Sequence, residues 1–211
     1  MRFVIPLFPG FMPLDAIGPH DVLRFLPDAS PVFAAEERGL VRASGGLGLY
    51  ADAAFDEIDA CDIVVVPGGA GARAYDERKP LIDWLARIHP TTAWTTSVCT
   101  GSLLLGAAGI LDGLDATSHW NAVERLEAHG AHYTPERVVR RGKVVTSAGV
   151  SSGIDMALTL VELIAGEEFA KSVQLWIEYD PQPPHDTGSV AKAGPELTRR
   201  TRELMAGGVR R

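Results

Sequence analysis

The sequence has few cysteines and no long hydrophobic run. Only Cys61 and Cys99 occur among its 211 residues, too few for the disulfide framework of a small secreted domain. The apolar run at the N-terminus is too short for a signal peptide, and no small-residue cleavage site follows it. No apolar stretch reaches the roughly 18 residues that a membrane-spanning helix needs. We therefore expect a cytoplasmic protein with free thiols and no membrane partner.

Positive charge is also scarce: the chain has 20 Lys and Arg residues and 27 Asp and Glu residues, which gives a net charge of -7. Nucleic-acid binding depends on clustered Lys and Arg at the phosphates, so this balance argues against a nucleic-acid partner. His129 and His132 have the spacing of helical metal ligands, but Gly130 breaks the helix between them. Residues 69–74 match a dinucleotide fingerprint formally but lie on the wrong βα unit. We predict no metal site and no nucleotide site.

Short apolar runs alternate with segments of helical periodicity along the chain. The predicted strands are residues 3–8, 31–34, 62–66 and 92–98, and the predicted helices are residues 14–26, 80–88, 100–111, 121–128 and a long one from Ser151 or Ser152 toward Tyr179. This alternation is typical of an α/β fold with a mostly parallel central sheet and helices on both faces. Residues 138–140 and 143–145 flank Arg141-Gly142, which predicts a small antiparallel hairpin added to that sheet. We expect one domain over residues 1–190 and a C-terminal extension over residues 191–211, either a surface helix or a frayed tail.

The most specific motif is the segment Ser97-Val98-Cys99-Thr100-Gly101-Ser102. A predicted strand enters it, a predicted helix leaves it, and small residues lie two positions before and after Cys99, which is the pattern of a nucleophile elbow. Such a turn places the nucleophile at the carboxyl edge of the sheet, where open α/β folds bind ligands. We expect the helix N-terminus to favour the thiolate of Cys99, and the Thr100 N–H to face charge that develops on a substrate. The alternative is a small buried cysteine that only packs at a helix start.

Gly69, Asp15 and His119 are the other candidates for this site. Gly69 follows the preceding predicted strand, and its N–H would complete an oxyanion hole with that of Thr100. Asp15 lies at the start of the first predicted helix, where it is either a helix cap or a general acid or base that hydrogen-bonds the sulfur. His119 is the best-placed histidine, and a structural role and a catalytic role are both open for it.

Four short segments accompany the elbow in an unusual combination. They are Leu14-Asp15 with Gly18-Pro19-His20-Asp21-Val22, Val65-Val66-Pro67-Gly68-Gly69, Ala116-Thr117-Ser118-His119-Trp120 and Gly153-Ile154-Asp155. Together with the elbow they resemble the PfpI-like branch of the class I glutamine amidotransferase-like superfamily. The resemblance extends over roughly residues 3–190.

The resemblance implies a flavodoxin-like three-layer sandwich that forms a homodimer, acts on a small-molecule substrate and needs no cofactor. It implies hydration of an isonitrile, R–N≡C, to an N-substituted formamide. Cys99 would attack the terminal carbon to give a thioimidate, water would then add, and Asp15 would supply or relay a proton. Thr100 and Gly69 would orient the sulfur and hold charge, and the turn Gly149-Val150-Ser151 would line the same pocket.

Departures from the family pattern narrow these expectations. Thr100 stands where PfpI-type peptidases place a histidine, and the chain lacks the late His-x-Glu pair of true amidotransferases, so neither activity is favoured. Asp15 stands where related glyoxalases and deglycases carry glutamate. Two alternatives to the hydratase stay open. One is a redox or stress sensor in which Cys99 is oxidised, and the other is a non-catalytic, small-ligand-binding relative of the sensing domain of AraC-type regulators.

Overall fold

The computed structural model describes residues 1–75 and 79–207 and contains a central sheet surrounded by helices. Its strands are β1 (Arg2–Pro6), β2 (Ser30–Ala35), β3 (Gly39–Arg42), β4 (Gly48–Ala51), β5 (Ala53–Ala54), β6 (Ile63–Val66), β7 (Trp94–Val98), β8 (Asp115–Ala116), β9 (His132–Tyr133), β10 (Val138–Arg141) and β11 (Val144–Ser147). Its helices are α1 (Pro13–Leu23), α2 (Ala72–Tyr75), α3 (Lys79–Ile88), α4 (Gly101–Ala107), α5 (Val123–Ala128), α6 (Ser152–Ala165), α7 (Glu167–Trp176) and α8 (Val190–Ala206).

Seven of the strands form one sheet in the order β10-β11-β7-β6-β1-β2-β5. Every neighbouring pair is parallel except the β10–β11 hairpin at one edge. The predicted α/β fold, with a mostly parallel sheet and a small antiparallel hairpin, is therefore confirmed. Strand β6 lies in the middle of this order and is buried along its whole length, as expected for a parallel strand that is covered on both faces.

The helices form two groups around this sheet. Helix α6 contacts α1 and α7, whereas α4 contacts α2, α3 and α5, which is the arrangement of a flavodoxin-like three-layer sandwich. Parallel strands run in the same direction, so the carboxyl ends of β1, β6 and β7 meet at one edge of the sheet. The chain leaves that edge into α1 after β1 and into α4 after β7, and this edge holds the candidate site.

The structure differs from the sequence-based prediction at the long C-terminal helix and at the hairpin turn, and α4 ends at Ala107 rather than at residue 111. The long helix that was expected to reach Tyr179 is two helices, α6 and α7, because Gly166 adopts a φ of 91° between them. The hairpin turn lies at Gly142 and Lys143 rather than at Arg141-Gly142. Its second strand, β11, pairs with β7, so the hairpin is part of the main sheet rather than an addition to it.

A second antiparallel hairpin, formed by β3 and β4, has no counterpart in the prediction. It braces the loop that leads from β1 into α1. The Gly10 N–H donates to the Arg42 carbonyl oxygen at 2.8 Å, and the Ser44 N–H donates to the Phe11 carbonyl oxygen at 2.8 Å. These bonds fix the segment that delivers Asp15 to the sheet edge.

The chain divides into two compact units, the first spanning Met1–Ile177 and the second beginning at Glu178. The first unit holds the main sheet and α1 to α7. The second contains α8, which is interrupted at Gly194, where φ is 74°. Within the described ranges, no helix is both long enough and apolar enough to cross a membrane. Residues 208–211 of the predicted extension lie outside the described residues.

Candidate active site

Cys99 lies in a tight turn between β7 and α4. Its φ is 58°, a left-handed conformation that costs a non-glycine residue about 1–2 kcal/mol. Its N–H is shared between the carbonyl oxygens of Ser147 and Ala148, each 3.0 Å away at the end of β11. The strand–cysteine–helix geometry expected of a nucleophile elbow is therefore present, and neighbouring backbone holds its strained residue in place.

Glycines next to this turn let it pack against the end of β6. A methyl group on Gly101 would collide with the carbonyl oxygens of Val66 and Pro67. A methyl group on Gly68 would lie 2.5 Å from the Thr100 nitrogen. Because backbone atoms cannot move aside cheaply, both positions require glycine.

Asp15 reaches the same edge from the first turn of α1. The N-cap of this helix is Met12 rather than Asp15, and the Asp15 side chain is fully buried. Its Oδ2 accepts the Gly68 N–H at 2.9 Å. Its Oδ1 receives no N–H or O–H hydrogen bond from the described residues. The carboxyl is therefore held beside the elbow with one oxygen that has no such donor.

The Asp15 carboxyl and the Cys99 thiol influence each other's proton affinity. Burial raises the pKa of Asp15 to about 7, although hydrogen bonds from the Gly68 N–H and from the Cys99 thiol act to lower it. Burial and the charge of Asp15 raise the pKa of Cys99 to about 12. Burial thus opposes the thiolate that the helix N-terminus was expected to favour. The site therefore pairs a neutral thiol with a carboxyl that gains and loses its proton near neutral pH.

Two backbone N–H groups lie near the Cys99 sulfur. Those of Val150 and Thr100, together with the Thr100 hydroxyl, act to lower the pKa of Cys99. The same hydroxyl oxygen accepts the Gly69 N–H at 2.9 Å and lies 3.1 Å from the Gly69 carbonyl oxygen. A hydroxyl has one proton, so it donates to that carbonyl or to the sulfur, not to both. The Gly69 N–H, which was expected to complete an oxyanion hole, instead donates to the Thr100 hydroxyl, and Val150 provides the second N–H near the sulfur.

Arg137, the residue before β10, links the turn at residues 149–151 to the first turn of α6. Arg137 donates to Asp155 Oδ2 from Nε at 2.8 Å and from Nη2 at 2.6 Å, and its Nη2 also lies 3.3 Å from Ser151 Oγ. Ser151 is itself exposed. Of the three residues in this turn, Val150 is the one that acts on the sulfur, and Ser151 belongs to the outer brace.

His119 lies against the other side of this turn. A methyl group on Gly149 would come within 2.8 Å of His119 Cδ2. The ring Nδ1 accepts the Asn121 N–H at 3.2 Å, which places the proton of a neutral ring on Nε2. Burial and the charge of Arg73 lower the pKa of His119, so the ring is neutral near pH 7. The structure thus places His119 behind the site, in contact with the turn that carries the Val150 N–H.

Two serines hold the carbonyl oxygen of Cys99, and sequence reasoning assigned neither of them a role. Ser102 and Ser118 each donate an Oγ–H to it at 3.1 Å. Ser102 belongs to α4, but Ser118 comes from the loop after β8. The segment Thr117-Ser118-His119, which has three polar residues at the end of a short strand, could have pointed to Ser118.

The fold and the cysteine turn define a class of proteins that comparison identifies. The DJ-1/PfpI family profile matches residues 1–163, so the chain belongs to the DJ-1/PfpI family, and the resemblance expected from its motifs is confirmed. The chain is 42% identical over 183 residues to isonitrile hydratase from Pseudomonas putida, an alignment that covers 87% of this chain and 80% of that protein.

Two other relatives bear on the fold and on the range of the family. The crystal structure of a THiJ/PfpI family protein from Pseudomonas syringae superposes with a TM-score of 0.94 at 34% identity, covering 98% of this chain and 86% of that one. The HTH-type transcriptional regulator CdhR from Pseudomonas aeruginosa is 32% identical over 138 residues, which is 64% of this chain and 40% of the regulator. Relatives of this chain therefore include a protein named as an enzyme and one named as a regulator.

Proposed function

We propose that the protein hydrates an isonitrile to an N-substituted formamide through a covalent adduct on Cys99. The observation that carries this proposal is the buried carboxyl of Asp15 beside a thiol that two backbone N–H groups face. A ligand-binding module needs neither a nucleophile nor an adjacent acid. The similarity to isonitrile hydratase supports the same substrate class.

The first step adds the thiol of Cys99 across the terminal carbon of the isonitrile. As Sγ bonds to that carbon, the S–H proton passes to the carboxylate of Asp15 and then to the carbon, which holds a lone pair. The product is a thioimidate, Cys99–S–CH=N–R, with no leaving group released. A carboxyl with a pKa of about 7 is suited to this relay, because it accepts and returns a proton with little cost near neutral pH.

The second step adds water to the C=N bond of the thioimidate. The water oxygen bonds to carbon, the nitrogen gains a proton, and the resulting adduct breaks its C–S bond. The hydroxyl proton returns to Cys99 and the formamide R–NH–CHO leaves, so the net change is the addition of one water. The N–H groups of Thr100 and Val150 stabilise negative charge on the sulfur as it attacks and as it leaves. Donors of this kind each contribute about 2.7–4 kcal/mol in enzymes.

The burial of Cys99, which is 4% exposed, suits this substrate. The reacting carbon of an isonitrile is the terminal atom of a linear group, so it reaches a thiol that a peptide carbonyl with two substituents cannot approach. The same burial weighs against a redox sensor, because oxidants react fastest with accessible thiolates.

Turnover of a simple aromatic isonitrile, followed by ultraviolet absorbance, tests the proposal. We expect the Cys99→Ala and Asp15→Asn variants to lose formamide production. The Cys61→Ala variant is the matched control, because Cys61 is also buried and burial raises the pKa of its thiol to about 12. It should retain activity. Normal turnover by Cys99→Ala would exclude covalent catalysis, and no turnover by the unaltered protein with several isonitriles would favour the sensor.

The homodimer and the cytoplasmic location expected from the sequence stay predictions. Light scattering coupled to size-exclusion chromatography tests the first, with a mass of twice 22.6 kDa expected for the dimer. A mass of 22.6 kDa would contradict the dimer.

A further inference from the structure

A short segment between β8 and α5, residues 117–119, contacts the backbone around the candidate nucleophile Cys99. Ser118, which is 1% exposed, donates its Oγ–H to the Cys99 carbonyl oxygen at 3.1 Å. Ser102 donates to the same oxygen but lies only three residues along the chain, in the first turn of α4. Ser118 is therefore the distant hydroxyl that ties the Cys99 peptide group to another part of the fold.

The residues on either side of Ser118 also contact other parts of the fold. The Thr117 N–H donates to Thr146 Oγ1 of β11 at 2.9 Å, in the buried interior. The ring of His119 packs against Gly149, the residue before the Val150 N–H that faces the sulfur. Three consecutive residues thus contact the sheet, the carbonyl of the nucleophile and the turn that carries the second N–H.

The backbone conformation of Cys99 explains why it needs hydrogen bonds from other parts of the fold. Its φ of 58° is unfavourable for any residue with a side chain. Its N–H is held by the carbonyl oxygens of Ser147 and Ala148, and its carbonyl is held by the two serines. Without the bond from Ser118, the Cys99 carbonyl oxygen keeps the bond from the nearby Ser102 hydroxyl, and rotation of this peptide group turns the sulfur relative to Asp15.

We propose that Ser118 is a positioning residue for the Cys99 thiol, acting through the Cys99 carbonyl and without touching the substrate. Its effect on turnover rests on the proposed hydratase function. Its effect on the thiol itself does not, so the two can be tested separately.

The kinetic test compares Ser118→Ala with Ser118→Thr, which keeps a hydroxyl. Thr96→Val is the matched control, because Thr96 Oγ1 also donates a buried hydrogen bond to a carbonyl oxygen, that of Val64, at 2.9 Å. We expect Ser118→Ala to lower kcat by about fivefold to tenfold, the effect of one hydrogen bond, while KM changes less than twofold. Ser118→Thr should restore kcat, and Thr96→Val should leave it unchanged although it destabilises the fold similarly.

The spectroscopic test uses the infrared S–H stretching band of Cys99 in a Cys61→Ala background, where it is the only thiol. This band reports the hydrogen bonding of the thiol, including that to Asp15. We expect Ser118→Ala to shift and broaden it, and Ser118→Thr and Thr96→Val to leave it in place. An unchanged band in Ser118→Ala overturns the proposal.

The two tests also separate this proposal from the hydratase proposal. If the unaltered protein hydrates isonitriles and Ser118→Ala shifts the band without lowering kcat, the positioning role is overturned. If the unaltered protein does not hydrate isonitriles, the hydratase proposal fails and the band alone decides the role of Ser118.

Discussion

Replacing Asp15 by asparagine is expected to stabilise the protein at about pH 8 and to change its stability much less at about pH 4. Burial raises the pKa of this carboxyl from 3.8 to about 7. A tenfold change in proton affinity corresponds to about 1.4 kcal/mol, so ionising Asp15 costs the folded protein about 4 kcal/mol. Asparagine keeps an oxygen for the Gly68 N–H and carries no charge.

The sign of the pH dependence follows from which state holds the proton. Below about pH 4 the Asp15 carboxyl is protonated in the folded and the unfolded chain, so it contributes equally to both. Between about pH 4 and pH 7 the unfolded chain ionises while the folded one stays protonated, and the free energy of unfolding falls as the pH rises. Above about pH 7 both are ionised and the loss is complete. The stability advantage of Asp15→Asn should therefore grow from about pH 4 to about pH 7 and then level off.

Urea unfolding of both proteins at a series of pH values measures this difference. Other titrating groups cancel in the comparison, and Asp59→Asn, which removes an exposed carboxyl, controls for the loss of one negative charge. The same Asp15→Asn protein should have lost formamide production. A stability difference that is constant with pH, or that shrinks as the pH rises, would refute the reasoning that burial dominates at Asp15.

Three further substitutions test the packing of the turn at Cys99, the conformation of Gly166 and the effect of Asp15 on the Cys99 thiol. Gly101→Ala should destabilise the fold by more than about 2 kcal/mol and abolish turnover, since its methyl group meets the Val66 carbonyl oxygen; a stable, active variant would contradict the packing of the elbow. Gly166→Ala should cost about 1–3 kcal/mol, because Gly166 has a φ of 91° and a ψ of 162°, a combination that residues with a side chain rarely adopt. It should leave kcat unchanged, because α6 separates it from the site by about 20 Å; urea unfolding and turnover check both. Asp15→Asn should lower the pKa of Cys99, because the charge of Asp15 helps to raise it. Thiolate absorbance as a function of pH, with Cys99→Ala as the blank, measures this pKa. An unchanged or higher pKa would contradict the prediction.

The parts of the fold that the sequence predicts are those set by local patterns. The buried strand β6 and the turn at Cys99 follow from an apolar run and from small residues between a strand and a helix. The break at Gly166 was not predicted, because the apolar periodicity continues on both sides of it and one glycine is compatible with a helix at a modest cost. The β3–β4 hairpin was not predicted because its strands are short and lack a clear alternation.

The parts of the site that depend on distant contacts were harder to predict. From the sequence, Asp15 was either a helix cap or an acid beside Cys99. The order of β1, β6 and β7 in the sheet decides between these two possibilities, and no local pattern gives that order. The raised pKa of Cys99 follows from burial, which no local motif reports. Ser118 is 19 residues from Cys99 along the chain, so its hydrogen bond becomes visible only when the loop after β8 is folded onto the elbow.

Acid quenching of the protein during turnover of an isonitrile, followed by mass spectrometry of the intact chain and of its peptides, tests covalent catalysis most directly. The thioimidate adds all the atoms of the isonitrile to the protein, so the account predicts a mass increase equal to that of the whole substrate, on the peptide that contains Cys99. It predicts no such increase for Cys99→Ala. Sustained formamide production without any adduct under quench, or an adduct on another residue, would contradict it.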